Sequence, residues 1–312
     1  MHKTLQHDWI RLRAPGTVAN LVCGYDVLGL CLEAPFDLME MRLLDERRVV
    51  VRSADGFPLP EDPERNTAGA PLMALMHEWA DAPGFEVVIH KKIKPGSGIG
   101  SSAASAAGAV VGANHLLRNR FSSSDLVRLA MYGEEVASGV QHADNIAPCI
   151  YGGVTLIRCT APLDIVPIPA PPLHITVIHP QIEVRTSDAR RILRREVTLK
   201  DAVTQWGNVG GLVAGFMKND LALISRSLSD VIVEPVRSIL IPRFDELKRQ
   251  CMAAGALGGG ISGSGPSVFM LSADAETALR VEQAMQSVYT ATGLSFHTYV
   301  TAISNTGVML EK

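Results

Sequence analysis

The chain has 312 residues, enough for two ordinary domains or one large one around a sizeable core. A composition that is 47% hydrophobic and 20% charged excludes a disordered chain. A net charge of −3 and a pI near 6.3 remove the basic field that nucleic acid or anionic lipid would need. Five widely spaced cysteines (Cys23, Cys31, Cys149, Cys159 and Cys251) form no C-x-x-C pair. They suggest neither a zinc ribbon nor a disulfide framework, and reduced thiols in the cytoplasm are expected. The opening MHKTLQHDWIRLRAP lacks the apolar centre of a signal peptide. No apolar run approaches the roughly 18–20 residues of a membrane span.

Residues 11–14 read as a strand leading into a loop, and 37–44 and 47–52 as paired strands broken at Asp45-Glu46. Residues 66–80 carry helical spacing in Ala70, Leu72, Met73, Leu75, Met76 and Trp79. A strand at 85–89 feeds the glycine loop, and a small-residue helix at 102–117 follows with serines as its N-terminal caps. Ser124 is expected to cap a second helix at 124–137. A strand at 154–158 and a proline-rich run come next, with a domain boundary expected within 153–172. The second half reads as a strand at 175–178, helical stretches to about 254, a strand at 268–271, a helix at 273–289 and a strand at 295–301. Without a regular βαβ repeat this is α+β in two layers, not a doubly wound sheet.

Four loops carry the residues with chemistry. PGSGIGSSAAS, residues 95–105, places glycines at alternate positions between a strand and a helix. Backbone N–H groups and the positive end of the helix dipole can both meet an anion there. A helix end contributes about 0.3–2 kcal/mol per charge, so a polyphosphate also needs charge-assisted N–H bonds of about 1.5–3 kcal/mol each and a metal. The loop has no G-K-[ST], and Ser101 stands where a dinucleotide fingerprint has its third glycine. A tightly packed Ala/Gly helix behind a flexible loop is the alternative. GGGISGSGPS, residues 258–267, matches G-x-G-x-x-G through Gly258, Gly260 and Gly263. Here a helical stretch precedes and a strand follows, the reverse of the dinucleotide order, which leaves a cushion of N–H groups for an anion. Residues 13–32, RAPGTVANLVCGYDVLGLCL, hold Asn20 and Asp26 among small residues and turns. Residues 133–153 gather Glu134, Glu135, His142, Asp144 and Asn145 near a helix end. That cluster reads as a metal site, a polar pocket or a solvated turn, and lacks the spacing of a two-histidine zinc helix.

In this order the segments resemble the GHMP kinases, a superfamily of small-molecule kinases, and within it the homoserine kinases. PGSGIGSSAAS resembles P-x-x-x-G-L-G-S-S-A-A with Ile99 for leucine, and GALGGGISGSGPSVF resembles the third motif, whose glycines face phosphates. ANLVCGYDVLGLCL and HADNIAP resemble A-N-L-G-x-G-F-D-x-L-G and H-x-D-N-[VI]-A-P. The first departs through Val22-Cys23 and through Tyr25 for phenylalanine, and Gly16 stands where a bulkier small residue is usual. RTSDARRIL and EPVRS match the threonine-plus-arginine and E-P-x-R segments.

The resemblance implies an α+β, two-domain GHMP kinase fold, with a ribosomal S5 domain 2-like half over 1–160 and a ferredoxin-like half over 161–312. It implies ATP in the cleft, cradled by Pro95, Gly96, Ser97, Gly98, Ile99, Gly100, Ser101, Ser102, Ala103, Ala104 and Ser105. Gly263 and Gly265 would face the phosphates, Asn66 the adenine, and Ser102 with Glu134 would hold Mg²⁺. Asn20, Asp26, His142, Asp144 and Asn145 would line an L-homoserine site, with Arg190 and Arg237 on its carboxylate. Glu134, Ser102, Asn145 and Thr186 would serve catalysis, Thr186 near the transferred phosphate and Asp26 as substrate ligand first and base second. The product would be O-phospho-L-homoserine, toward threonine, made by a cytoplasmic enzyme and plausible homodimer. The rivals are a GHMP kinase for another small alcohol, a non-catalytic ATP-binding relative, and an NAD(P) oxidoreductase resting on the Gly258 match alone.

Overall fold

The computed structural model describes residues 8–311; residues 1–7, part of the stretch read above as too polar for a signal peptide, and residue 312 lie outside them. The chain opens with β1 (Ile10–Ala19), β2 (Leu28–Leu44) and β3 (Val49–Gly56), then α1 (Gly69–Glu78) and β4 (Gly84–Lys91). Three helices follow, α2 (Ser101–Leu116), α3 (Ser123–Ser138) and α4 (Ile146–Tyr151), and then β5 (Val154–Thr160) and β6 (Leu163–Ile168). The remainder comprises β7 (His174–Pro180), α5 (Thr186–Arg191), α6 (Leu199–Lys218), α7 (Leu221–Ser227), α8 (Glu234–Arg237) and α9 (Phe244–Ala253). It ends with β8 (Gly258–Ile261), β9 (Val268–Ser272), α10 (Ala275–Thr290), β10 (Phe296–Ala302) and β11 (Met309–Leu310).

Two sheets result. One runs β11-β1-β2-β4-β3, with β5 joined to β2 and β6 to β5; the other runs β10-β7-β9-β8. Sheet membership changes between β6 and β7, and β11 returns to the first sheet. The α+β expectation holds, but two strand readings need correcting. Residues 37–44 do not pair with 47–52: β4 lies between them, antiparallel to β2 and parallel to β3. The intervening helix α1 is the reason, since a crossover lets its flanking strands run parallel where a two-residue break would force a hairpin. Residues 11–14 do not give way to a loop either. β1 continues to Ala19 past an irregularity between Pro15 and Thr17.

The small residues of α2 serve packing as well as the loop. A Cβ on Gly108 would stand 2.3 Å from Met39 Sδ, and one on Gly112 2.4 Å from Met41 Sδ. The helix therefore lies directly on β2, and Met39 and Met41 are fully buried beneath it. The cap of α3 is Ser122 rather than Ser124: its hydroxyl accepts from Asp125 N while the Asp125 carboxylate accepts from Ser122 N. All five cysteines are free thiols.

Candidate active site

The glycine loop leaves β4 and enters α2 with Gly96, Gly98 and Gly100 at φ of 74°, 84° and 69°, a region that favours glycine. Space demands it as well. A Cβ on Gly100 would lie 2.0 Å from Thr17 Oγ1, and one on Gly98 2.6 Å from the Gly265 carbonyl. The loop is thus threaded between the end of β1 and the 262–267 turn. Two hydroxyls from that turn fasten it, Ser262 Oγ donating to Gly98 O at 2.7 Å and Ser267 Oγ to Ser97 O at 2.6 Å. Neither loop serine caps α2, contrary to expectation, because the N-cap position is the left-handed Gly100, which has no side chain. Ser101 Oγ instead donates to Ile93 O at 2.9 Å, and Ser102 Oγ to Glu134 Oε2 at 2.8 Å.

A buried ion pair underlies the loop. Lys91 Nζ donates to Asp37 Oδ2, to Ser101 O at 2.6 Å and to Ser105 Oγ at 2.9 Å. The other oxygen of Asp37 accepts from Lys92 N at 2.7 Å and Ile93 N at 2.8 Å. Burial lowers the Lys91 pKa and Asp37 opposes the shift. Each ammonium proton and both carboxylate oxygens have a partner, the condition under which buried charge is tolerated.

Beyond the loop opens a cavity of about 300 Å³. Its wall includes Asn20, Asp26, Glu134, His142, Asp144, Asn145, Thr186, Arg190 and Arg237, drawn from five separate segments. Asn20 bridges two of them: its Nδ2 donates to Gly263 O at 2.8 Å and its Oδ1 accepts from Asp26 N at 3.0 Å. Arg190 grips both oxygens of Asp26, at 2.9 and 3.3 Å. Arg237 donates to Ala189 O at 2.9 Å and Gly263 O at 3.3 Å, with its guanidinium 4.9 Å from the Tyr25 ring centre. Thr17 Oγ1 donates to Asn145 Oδ1 at 2.8 Å, and the Thr186 and Ser264 hydroxyls lie 3.1 Å apart.

The acids differ in their electrostatics. Burial pushes Asp144 up to about 7, and the nearby charges of Asp26 and Glu134 add to it. Glu134 is raised as well, by loss of water, with the Ser102 hydroxyl pulling back. Burial lowers His142, and its Nε2 is buried with no partner, as is Nε of Arg190. The cavity therefore offers unspent donors beside carboxylates that lack a cation.

Residues 66–153 match the family model for the GHMP kinases N terminal domain, and 212–291 that for GHMP kinases C terminal. The chain is 44% identical to a homoserine kinase of Chlorobium phaeobacteroides over 90% of its own length and 92% of that protein. It is 38% identical to a homoserine kinase of Methanocella arvoryzae over 95% of both. A crystal structure of homoserine kinase from Cytophaga hutchinsonii superposes with a TM-score of 0.93 at 45% identity, covering 100% of this chain and 99% of that one. This chain belongs to the GHMP kinases.

Within this GHMP kinase, Pro95, Gly96, Gly98, Gly100, Ser101, Ser102 and Gly263 line the same cavity as the polar residues above. Ser97, Ile99, Ala103, Ala104, Ser105 and Gly265 are not part of that wall; Ser97, Ile99 and the α2 residues are buried behind it. Asn66 does not reach it either. Its amide is spent locally, donating to Pro60 O at 2.5 Å and accepting from Ala68 N at 2.8 Å and Gly69 N at 3.3 Å, while Leu59 and Thr67 line the cavity. Sequence reasoning missed Lys91, Tyr25 and Ser264 in the wall and the two fastening serines. A lone lysine closing a strand carries no signal of its own. Tyr25 was visible as a departure, and its hydroxyl meets Arg237 Nη2 at 3.4 Å, a contact phenylalanine lacks.

Proposed function

We propose that this enzyme transfers the γ-phosphoryl group of ATP to the side-chain hydroxyl of L-homoserine, giving ADP and O-phospho-L-homoserine, as a cytoplasmic step toward threonine. One observation carries the reading beyond the family. A single cavity holds two arginines together with three carboxylates, the recognition chemistry of a zwitterionic amino acid. A sugar or a simple alcohol can hydrogen-bond to that set but carries neither of the charges it would pair with. The homoserine kinases at 38–45% identity agree with it.

Each side chain has a part. Arg190 keeps an unpartnered Nε beside its bond to Asp26, so a substrate carboxylate can add to the pair without breaking it. Arg237, anchored on two backbone carbonyls, supplies the second positive charge. Asp144 is the buried acid with no cation, and a substrate ammonium beside it would draw its pKa back down. That makes Asp144 a stronger ammonium partner than Asp26, both of whose oxygens Arg190 already holds.

Ser102 and Glu134 would hold Mg²⁺. A carboxylate whose pKa is raised by burial, with a hydroxyl 2.8 Å away, fits an ion that takes one or two carboxylates and leaves its other positions to water and phosphate. The ion would supply neutralisation of the nucleotide's negative charge. In the transfer, the homoserine oxygen bonds to the γ-phosphorus as the bond to ADP breaks, and the hydroxyl proton passes to a phosphoryl oxygen and from there to solvent. The transition state is loose, so the chain's work is positioning and electrostatics. The glycine loop presents backbone, and Thr186 with Ser264, which lies in the turn fastened to that loop, offers hydroxyls. Asp26 stays a ligand first.

A coupled ADP-release assay across homoserine, mevalonate, shikimate and sugars tests the proposal. Stimulation by millimolar homoserine alone is expected, and its absence rejects the reading. Glu134→Gln should lower kcat by at least about a hundredfold if Glu134 carries the metal, whereas a non-catalytic nucleotide-binding module has no turnover to lose.

A further inference from the structure

The cavity wall includes one tyrosine, Tyr25, half-buried on the turn after β1. Both arginines lean on its ring: the Arg237 guanidinium lies 4.9 Å from the ring centre and the Arg190 guanidinium 5.6 Å. The negative face of an aromatic ring attracts a cation, so one side chain steadies two like charges that repel each other. The phenol oxygen adds a contact, accepting from Arg237 Nη2 at 3.4 Å. Its own proton is donated to no group among the described residues. Burial, with the Asp26 charge adding to it, raises the phenol pKa above its ordinary value against the pull of both arginines. The oxygen therefore keeps its proton at neutral pH and remains a donor.

We propose, on the reading above in which Arg190 and Arg237 receive the carboxylate of an amino-acid substrate, that the Tyr25 hydroxyl is a further ligand of that carboxylate. It donates its free proton to the substrate while its oxygen steadies Arg237. The neighbouring donors are largely committed. Arg190 gives both terminal nitrogens to Asp26 and keeps Nε without a partner. Arg237 gives Nε to Ala189 O and a proton of Nη1 to Gly263 O. An entering carboxylate accepts at both oxygens, and an O–H beside two guanidiniums is a donor it can take without displacing an existing bond. Among the described residues, the hydrogen bond and ring contacts of the Tyr25 side chain run to the two arginines alone. That places its donor with the carboxylate rather than with the nucleotide. Phenylalanine, which the homoserine kinase pattern carries here, would keep the ring contacts and lose the donor. The departure thus changes how tightly the carboxylate is held and leaves the arginine framework in place.

Steady-state kinetics of the wild type and Tyr25→Phe in the coupled ADP assay, with two competitors of homoserine, are the test. L-2-aminobutyrate is homoserine without its side-chain hydroxyl and keeps the carboxylate. The second competitor, 3-aminopropan-1-ol, keeps the hydroxyl and the ammonium but has no carboxylate. Tyr25→Phe should raise KM for homoserine and the inhibition constant of L-2-aminobutyrate by about tenfold each. By contrast kcat, KM for ATP and the inhibition constant of 3-aminopropan-1-ol should stay within about twofold. An unchanged constant for L-2-aminobutyrate overturns the proposal. Equal weakening of both competitors also overturns it, because a structural disturbance does not select for the carboxylate. A rise confined to KM for ATP would assign the hydroxyl to the nucleotide and overturns it as well. If homoserine fails to stimulate the wild type, the kinase reading is rejected and this proposal falls with it; an active wild type leaves Tyr25→Phe to decide this proposal alone.

Discussion

Val22 occupies the left-handed region at φ 66°, between Leu21 at 41° and a turn that ends with Asp26 at 59°. A β-branched residue there costs on the order of 1–3 kcal/mol. The homoserine kinase pattern has glycine at this place, so the departure noted in the sequence coincides with a strained backbone. Val22 is also buried, and at an ordinary buried site glycine is a worse replacement for valine than alanine is, by about 0.5–1 kcal/mol. Here the order should reverse: Val22→Gly should lose less stability in urea than Val22→Ala, and the ordinary order would remove the strain argument. Asp144 gives a second expectation. Its pKa in the fold, about 7, lies above the ordinary 3.8, so folding favours its protonated form. That contribution is complete below about pH 4 and is lost as pH rises through about 7. Asp144→Asn stays neutral throughout. Without ligands its melting temperature should exceed the wild type's by a margin that is absent below about pH 4, widens as pH rises to about 7, and reaches about 5 °C at pH 8. A gap that does not change with pH would contradict the assignment.

At the scale of elements, the Lys91–Asp37 pair ties the end of β4 to β2 and to the first turn of α2. Lys91→Met would strand the Asp37 charge at a fully buried position, a loss of about 3–5 kcal/mol. The double variant Lys91→Met with Asp37→Asn should recover part of that, and urea unfolding of all four proteins measures the coupling. Exact additivity would mean the two charges do not act as a unit. The pair also shows where reading from the sequence stops. Asn20, Asp26 and the His142–Asn145 run announce themselves as polar residues crowded into turns. Lys91 ends β4 and Asp37 lies inside β2, 54 residues apart, and only the β2–β4 register, Leu38 opposite His90, brings them together. β8 escaped for a different reason. Gly258–Ile261 has almost no intrinsic strand preference and is a strand because β9 pairs with it. Pro167 hid β6 in the same way, acceptable in a strand that pairs on one side only.

The molecule as a whole is closed by its own C-terminus. After β10, Ser304 N donates to Cys31 O at 3.0 Å and Val308 N to Cys149 O at 2.8 Å. β11 then pairs with β1, Leu310 opposite Leu12, and Glu311 meets Arg13 at 2.7 Å and Arg11 at 3.1 Å. This last segment is bonded to β1, β2 and α4, the elements against which the helix bearing the glycine loop also packs, so its removal should be felt beyond the sheet edge. A chain ending at Ala302 loses those bonds and uncovers Cys31 and Cys149, both fully buried in the intact protein. Burial pushes the Cys31 thiol up to about 12 and Cys149 well above its ordinary value, so neither reacts while the segment is in place. Cys159, partly exposed, is the thiol the folded protein presents. An aromatic disulfide reagent should therefore titrate about one thiol in the native full-length chain and five in denaturant. The chain ending at Ala302 should show about three under native conditions, together with a melting temperature lowered by about 5–10 °C. A truncated protein with the full-length titre and melting temperature would mean that the C-terminal segment rests on the fold without holding it.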